Sequence, residues 1–183
     1  MGRILVSEFI SLDGVFESPS WTMAFGFDPA MGADMSGLMG EGTSDILLGR
    51  TTHAEFAPAW STRTADDDPG APFMNDTPKH VVTSRPLEVE WSNSTVLGGY
   101  DPEAIARLRD EAAGNVWVTG SGTLVRALLT DTLVDELHLF LYPVIRGTGK
   151  RLFLDGEATR TLALAGSHSY DNGVLHLHYA PTG

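Results

Sequence analysis

The sequence predicts an α/β fold, a mainly parallel sheet finished by antiparallel C-terminal strands, and three observations predict it. Strand-like and helix-like segments alternate through the first two-thirds of the chain. Apolar strands run directly into small-residue turns at Gly49-Arg50-Thr51-Thr52, Thr83-Ser84-Arg85 and Thr119-Gly120-Ser121-Gly122-Thr123-Leu124. In the last third, strand patterns follow one another.

The first strand is expected over Ile4–Ser11, mostly apolar and therefore central, and it ends in Ser11-Leu12-Asp13-Gly14. A loop with Trp21, Phe25 and Phe27 follows. Asp28-Pro29 reads as an N-cap followed by proline at the first helical position. The helix carries Met31, Met35, Leu38 and Met39 on one stripe and stops at Gly40 and Gly42. A second strand covers Asp45–Leu48. Thr52 and Glu55 have capping-box spacing for a short helix ending before Pro58. Residues 61–78, with Asp66-Asp67-Asp68-Pro69-Gly70, read as a surface loop.

A third strand is expected over Lys79–Thr83 and a short one near Thr95–Leu97. Asp101-Pro102-Glu103 opens a helix that buries Ile105 and Leu108, with Gly114 as its C-terminal cap. The strand Asn115–Thr119 feeds a helix from Thr123 to Leu129. Val134–Tyr142 is a long strand, Val174–Tyr179 another, and Leu162–Tyr170 pairs beside it. No internal repeat or low-complexity tract interrupts this order, and 183 residues suit a single domain.

Composition narrows the function. The net charge of −12 leaves no basic footprint for nucleic acid. The absence of cysteine excludes disulfides and thiolate metal sites. No signal-peptide pattern and no apolar run of membrane-spanning length is seen, so the cytoplasm is the expected location. An anionic ligand must then be held by helix N-termini, glycine-rich turns and a few placed arginines. Three strand ends gathered at one sheet edge would form a crevice for a phosphate-bearing ligand, and the repetition favours a dinucleotide. Arg50 and Arg85 stand at two of these ends.

Four segments carry a family resemblance: Ser11-Leu12-Asp13-Gly14, Leu48-Gly49-Arg50-Thr51-Thr52, Val118 through Leu124, and Leu133-Val134-Asp135-Glu136-Leu137 through Pro143 to Gly147-Thr148-Gly149. In this order they resemble the dihydrofolate reductase superfamily, in the branch typified by the C-terminal reductase domain of riboflavin-biosynthesis deaminase/reductases (RibD C-terminal type). The resemblance implies a three-layer dihydrofolate-reductase-like fold and a reductase using NADPH. It implies that Gly49, Arg50, Thr51 and Thr52 meet the pyrophosphate and the 2′-phosphorylated ribose. Thr83, Ser84 and Arg85 would flank the adenine end, and Gly120, Ser121, Gly122, Thr123 and Leu124 would cradle the pyrophosphate. Leu12, Asp13 and Gly14 would lie by the nicotinamide.

The nearest family reaction is reduction of 5-amino-6-(5-phosphoribosylamino)uracil. Two departures fall on the substrate side: Thr119 stands where glutamate is usual, and Ser7 where lysine is usual. The substrate is therefore expected as a heterocycle or a ribosylaminopyrimidine-like molecule. The alternative is a non-catalytic NADP(H)-binding sensor or carrier.

Asp34, on the helix after the first strand, reads either as a desolvated proton donor with a raised pKa or as a solvated side-face acid. Asp13 reads equally as a tie for backbone N–H groups. Trp21, Phe25 and Phe27 would wall a flat substrate or fill the core beneath their loop. His176 and His178 share one strand face, and His138 opposing them could complete a metal trio, but the reading commits to no metal; Asp66-Asp67-Asp68 reads as a solvated charge run. Ser121 lacks the partners of a hydrolase elbow. Leu137, Leu139 and Leu141 on one face and His138, Phe140 and Tyr142 on the other suggest a strand covered on both faces. A two-fold homodimer built there is expected, with cover from within the chain as the competing view.

Overall fold

The computed structural model describes residues 1–40 and 42–182. Eight strands form one sheet: β1 (Ile4–Ser11), β2 (Thr43–Gly49), β3 (Lys79–Val82), β4 (Ser94–Gly98), β5 (Asn115–Thr119), β6 (Glu136–Tyr142), β7 (Leu162–Ser169) and β8 (Leu175–Pro181). Their order is β4-β3-β2-β5-β1-β6-β8-β7. The first six strands are parallel, and β8 is antiparallel to both of its neighbours. The sheet therefore has the architecture expected from the sequence, with β8 alone reversing direction.

Helices cover both faces. On one side Ile4, Val6, Leu47, Val116 and Val118 meet Ile105 of α4 (Pro102–Glu111) and Leu124, Val125 and Leu128 of α5 (Gly122–Thr130). On the other, Leu5, Ile46, Leu48, Trp117 and Phe140 meet α1 (Pro29–Met39), α2 (Arg50–Trp60) and α3 (Ala71–Asp76). The alternation of β1 explains the division: successive residues point to opposite faces, and both faces are covered.

Helix starts that carry their own hydrogen bonds lie where the sequence places them. Asp28 caps α1, accepting from the N–H groups of Ala30 at 2.8 Å and Met31 at 3.2 Å. Asp101 caps α4 through the N–H of Glu103 at 3.0 Å. Three readings are corrected. The helix expected from a Thr52–Glu55 capping box begins at Arg50 with Gly49 as N-cap, and it runs through Pro58. Pro58 is exposed, so the carbonyl it leaves unpaired can turn to water, while buried Ala57 holds the helix down. The loop at 61–78 contains α3, anchored by buried Ala71 and Met74. Gly114 does not cap α4, which ends at Glu111 with Ala112 as its C-cap; a β-carbon at Gly114 would lie 2.4 Å from the Gly42 carbonyl oxygen.

Cover for β6 comes from within the chain. Leu137, Phe140 and Tyr142 are buried within one chain, on a strand flanked by β1 and β8. The described residues contain no helix long and apolar enough to cross a membrane.

Candidate functional site

The parallel strands bring their C-terminal ends to one edge. Gly49 pairs with Val82, Leu47 with Val118 and Ser7 with Thr119, so the ends of β3, β2, β5 and β1 stand side by side. There a cleft of about 540 Å³ opens, within the range of small-molecule sites. Of the residues expected at a dinucleotide, Thr51, Thr52, Gly120, Ser121, Gly122 and Thr123 line it.

Two helices start at this cleft without side-chain caps. The N-cap of α2 is Gly49, and that of α5 is Ser121, held in the left-handed region at φ 64°; neither makes a side-chain capping hydrogen bond. The first-turn N–H groups of both helices are thus left to a ligand or to water. Their partial positive charge suits an anion. Arg126, Lys150 and Arg151 stand on the same walls. Each is met by a carboxylate: Glu157 at 3.4 Å, Glu17 at 2.6 Å and Asp13 at 3.6 Å.

The floor of the cleft holds a residue the sequence reading missed. Glu8 lies on β1 with its carboxyl buried. The Gly120 N–H lies beside its carboxyl and favours the ionised form, while Oε1 has no partner. Burial lifts its pKa to about 8, and the Gly120 N–H offsets part of that rise. The signal was present in the strand: Ile4, Val6 and Ile10 share the face of Glu8, so the alternation places a carboxylate on an apolar face.

The remaining expected residues lie elsewhere. Gly49 packs behind Ser121, and Leu124 is buried in the core. Arg50 forms an ion pair with Glu88. Thr83 closes its own turn, its hydroxyl accepting from the Arg85 N–H at 3.0 Å, and Ser84 and Arg85 are exposed. These four residues mark the β2–β3 end of the same edge, outside the lining of the cleft.

Leu12 is 57 % exposed, and neither it nor Asp13 nor Gly14 lines the cleft. Asp13 accepts from the N–H groups of Arg146 at 3.0 Å and Gly147 at 2.9 Å and from the Ser11 hydroxyl at 2.7 Å. These bonds hold its carboxyl below the usual range and make it a tie between two loops.

Asp34 departs from the expected proton donor. Burial pushes its pKa up, but hydrogen bonds from Tyr170, His168 and His176 outweigh it, and the net shift is downward. The Tyr170 hydroxyl donates at 2.5 Å and His168 Nδ1 stands at 3.0 Å, so the carboxylate faces β7 and its following turn and not the cleft. Trp21 and Phe25 pack edge-on against Tyr142, and Phe27 is exposed beside Gly32; none of the three lines the cleft. Asp67 and Asp68 close their own loop, accepting from the N–H groups of Thr64 at 2.9 Å and Gly70 at 2.8 Å.

A dinucleotide fits what is present: two uncapped helix N-termini suit its phosphates, and an orphaned carboxyl oxygen marks a polar partner still to be met. Among curated proteins the chain is 23 % identical over 193 residues to the uncharacterised YyaP of Bacillus subtilis, covering 97 % of this chain and 94 % of that one. A candidate riboflavin biosynthesis protein from Shewanella sp. PV-4 shares the fold at 18 % identity, with 99 % of each chain covered and a TM-score of 0.80. So does a dihydrofolate reductase of Enterococcus faecalis solved with NADP(H), at 14 % identity, 100 % and 98 % coverage and a TM-score of 0.62. Residues 3–176 match the RibD C-terminal domain, and the chain belongs to that family.

Proposed function

We propose that this protein is an NADPH-dependent reductase acting on a flat heterocycle of the pterin or ribosylaminopyrimidine kind. Membership of the RibD C-terminal family supports a reductase of that type. Bound at the strand ends, NADPH supplies a hydride equivalent. The uncapped N-termini of α2 and α5 would hold its phosphates, with Thr51, Thr52 and Ser121 to Thr123 beside them.

The observation that carries catalysis over mere binding is Glu8. A buried carboxyl with a pKa of about 8 keeps its proton at neutral pH. Glu8 lines the cleft floor, with no partner for Oε1, and from there its carboxyl can pass that proton to a ring nitrogen or carbon of the substrate. The Gly120 N–H stabilises the carboxylate left behind. A sensor or carrier has no use for an acid kept neutral at this cost.

The test is NADPH oxidation followed at saturating cofactor against a panel of pterins and ribosylaminopyrimidines. Turnover is expected with at least one of them. Glu8→Gln should lower kcat by at least about 100-fold while cofactor affinity stays within a few-fold. Tight NADPH binding with no turnover on any substrate, or full activity in Glu8→Gln, would overturn this assignment.

A further inference from the structure

A second polar cluster lies on β6 and β8, on the far side of β1 from the β5 wall of the cleft. Glu136 opens β6, and His138 stands two residues on, on the same face. The β6–β8 register places His178 directly opposite His138. Glu136 Oε2 is 2.9 Å from His138 Nε2 and 3.1 Å from His178 Nε2, and the ligating atoms of all three lie within 4.8 Å of one another. A tetrahedral zinc ion with bonds of 2.0–2.1 Å holds its ligand atoms about 3.3 Å apart.

Three features say that this group is built for more than mutual hydrogen bonding. His178 Nε2 is shielded from water yet makes no hydrogen bond; its ring is stacked on that of His138 at 4.3 Å and 15°, and a ligated ion requires the partly exposed His178 ring to swing out of that stack. The other carboxylate oxygen, Oε1, is held by Arg3, which fixes the group and leaves Oε2 to the two imidazoles. Finally, His138 Nδ1 is 2.9 Å from His176 Nε2, and His176 Nδ1 is 3.5 Å from Asp34 Oδ2. The chain Glu136–His138–His176–Asp34 has three junctions, and two neutral imidazoles bring only two N–H groups. A cation at the Glu136 end removes the shortfall: His138 can then donate to His176, and His176 to Asp34. That is the outer-shell arrangement that orients metal-bound histidines.

We propose that Glu136, His138 and His178 bind one divalent transition-metal ion of the zinc class, with His176 and Asp34 as their outer shell. Three protein ligands leave a fourth position for water, and the partly exposed His178 ring gives the ion its way in.

Calorimetric titration of the chelator-stripped protein with zinc chloride tests this. One ion per chain is expected, with affinity lowered at least about tenfold by His178→Gln or Glu136→Gln and about tenfold by Asp34→Asn. His80→Asn removes the separate His80–Asp45 pair and should change nothing. Absence of binding by the wild type, or binding indifferent to His178→Gln, would overturn the site. Should His178→Gln fail to fold, cobalt(II) substitution in the wild type decides: intense visible bands of a four-coordinate ion support the site, and their absence rejects it.

Discussion

A β-carbon on Gly49 would lie 2.1 Å from the Ser121 hydroxyl oxygen and 2.8 Å from Ser121 Cβ. The ends of β2 and β5 therefore touch through these two residues, and each is the N-cap of a helix that opens on the cleft. Ser121 holds φ 64°, a conformation that costs a non-glycine residue about 1 kcal/mol. Gly49→Ala should push Ser121 aside and weaken cofactor binding at least about tenfold. The double variant Gly49→Ala/Ser121→Gly should recover most of it, since glycine removes the opposing side chain and accepts the positive φ. A cofactor titration that finds the double variant as weak as the single one would show that the contact does not set the turn.

Replacing the neighbouring glycines is a harsher change than the turn alone suggests. A β-carbon at Gly120 would lie 2.7 Å from Thr52 Cγ2, and one at Gly122 would lie 2.4 Å from Phe16 Cζ. Valine at either place should disturb the wall of the cleft itself and not merely fill a phosphate's place.

Glu8 should leave a mark on stability. Its pKa rises from 4.5 in the unfolded chain to about 8 in the fold. Below 4.5 the carboxyl is protonated in both states, and its contribution is fully present. Between 4.5 and about 8 the folded state retains a proton that the unfolded state has lost, so stability falls as pH rises, and above about 8 the contribution is gone. Glu8→Gln should flatten this slope and stabilise the protein by ~2–4 kcal/mol at about pH 8, while removing turnover. Urea denaturation of both proteins at about pH 5 and about pH 8 measures it. Parallel pH dependences would mean that Glu8 is not held protonated.

The parts legible in the sequence are those whose cause is local. Asp28-Pro29 and Asp101-Pro102 carry cap and first turn together, and the small-residue turns after β2, β3 and β5 sit at the ends of the strands that precede them. What was missed depends on partners far along the chain. Lys79 heads a strand and would ordinarily be placed on the surface, yet it is wholly buried. Its Nζ donates to the carbonyls of Met74 at 2.8 Å, Asn75 at 3.1 Å and Thr77 at 2.8 Å, and it lies over the Trp91 ring. Glu136 was absent from the expected histidine trio because only the register of β6 against β8 decides which side chains meet. Asp34 was read from its helix alone, whereas Tyr170 and His168, more than 130 residues on, set its charge.

If NADPH is the cofactor, Arg50 should set the preference for it. Its guanidinium pairs with Glu88, whose side chain is 67 % exposed, and an exposed pair of this kind contributes little and exchanges readily. Arg50 can therefore turn to the 2′-phosphate that distinguishes NADPH from NADH. NADPH should bind about tenfold more tightly than NADH, equivalent to ~1.4 kcal/mol. Arg50→Ala should narrow the gap and Glu88→Ala should widen it, because the second variant removes both the competitor and a like charge. Equal affinities for the two cofactors in the wild type would reject this role.

Assembly should be governed by the edge of the sheet. Phe140→Glu is no test of an interface, since Phe140 is wholly buried and a charge there should unfold the monomer. The place expected for a second copy is β7, one of the two edge strands, which offers an unpaired backbone edge. Leu164 on β7 is 58 % exposed, and Leu175 on the adjoining β8 is 39 % exposed. An uncovered edge with apolar side chains is a template for pairing, and antiparallel pairing of two β7 strands about a two-fold axis would close it symmetrically. Light scattering at micromolar concentration should therefore give twice the 19.7 kDa chain mass. Leu164→Lys should return the protein to the mass of one chain without loss of the fold, because that side chain has little core contact to lose. A wild-type mass near 19.7 kDa would rule the dimer out, and a dimer untouched by Leu164→Lys would move the interface away from β7.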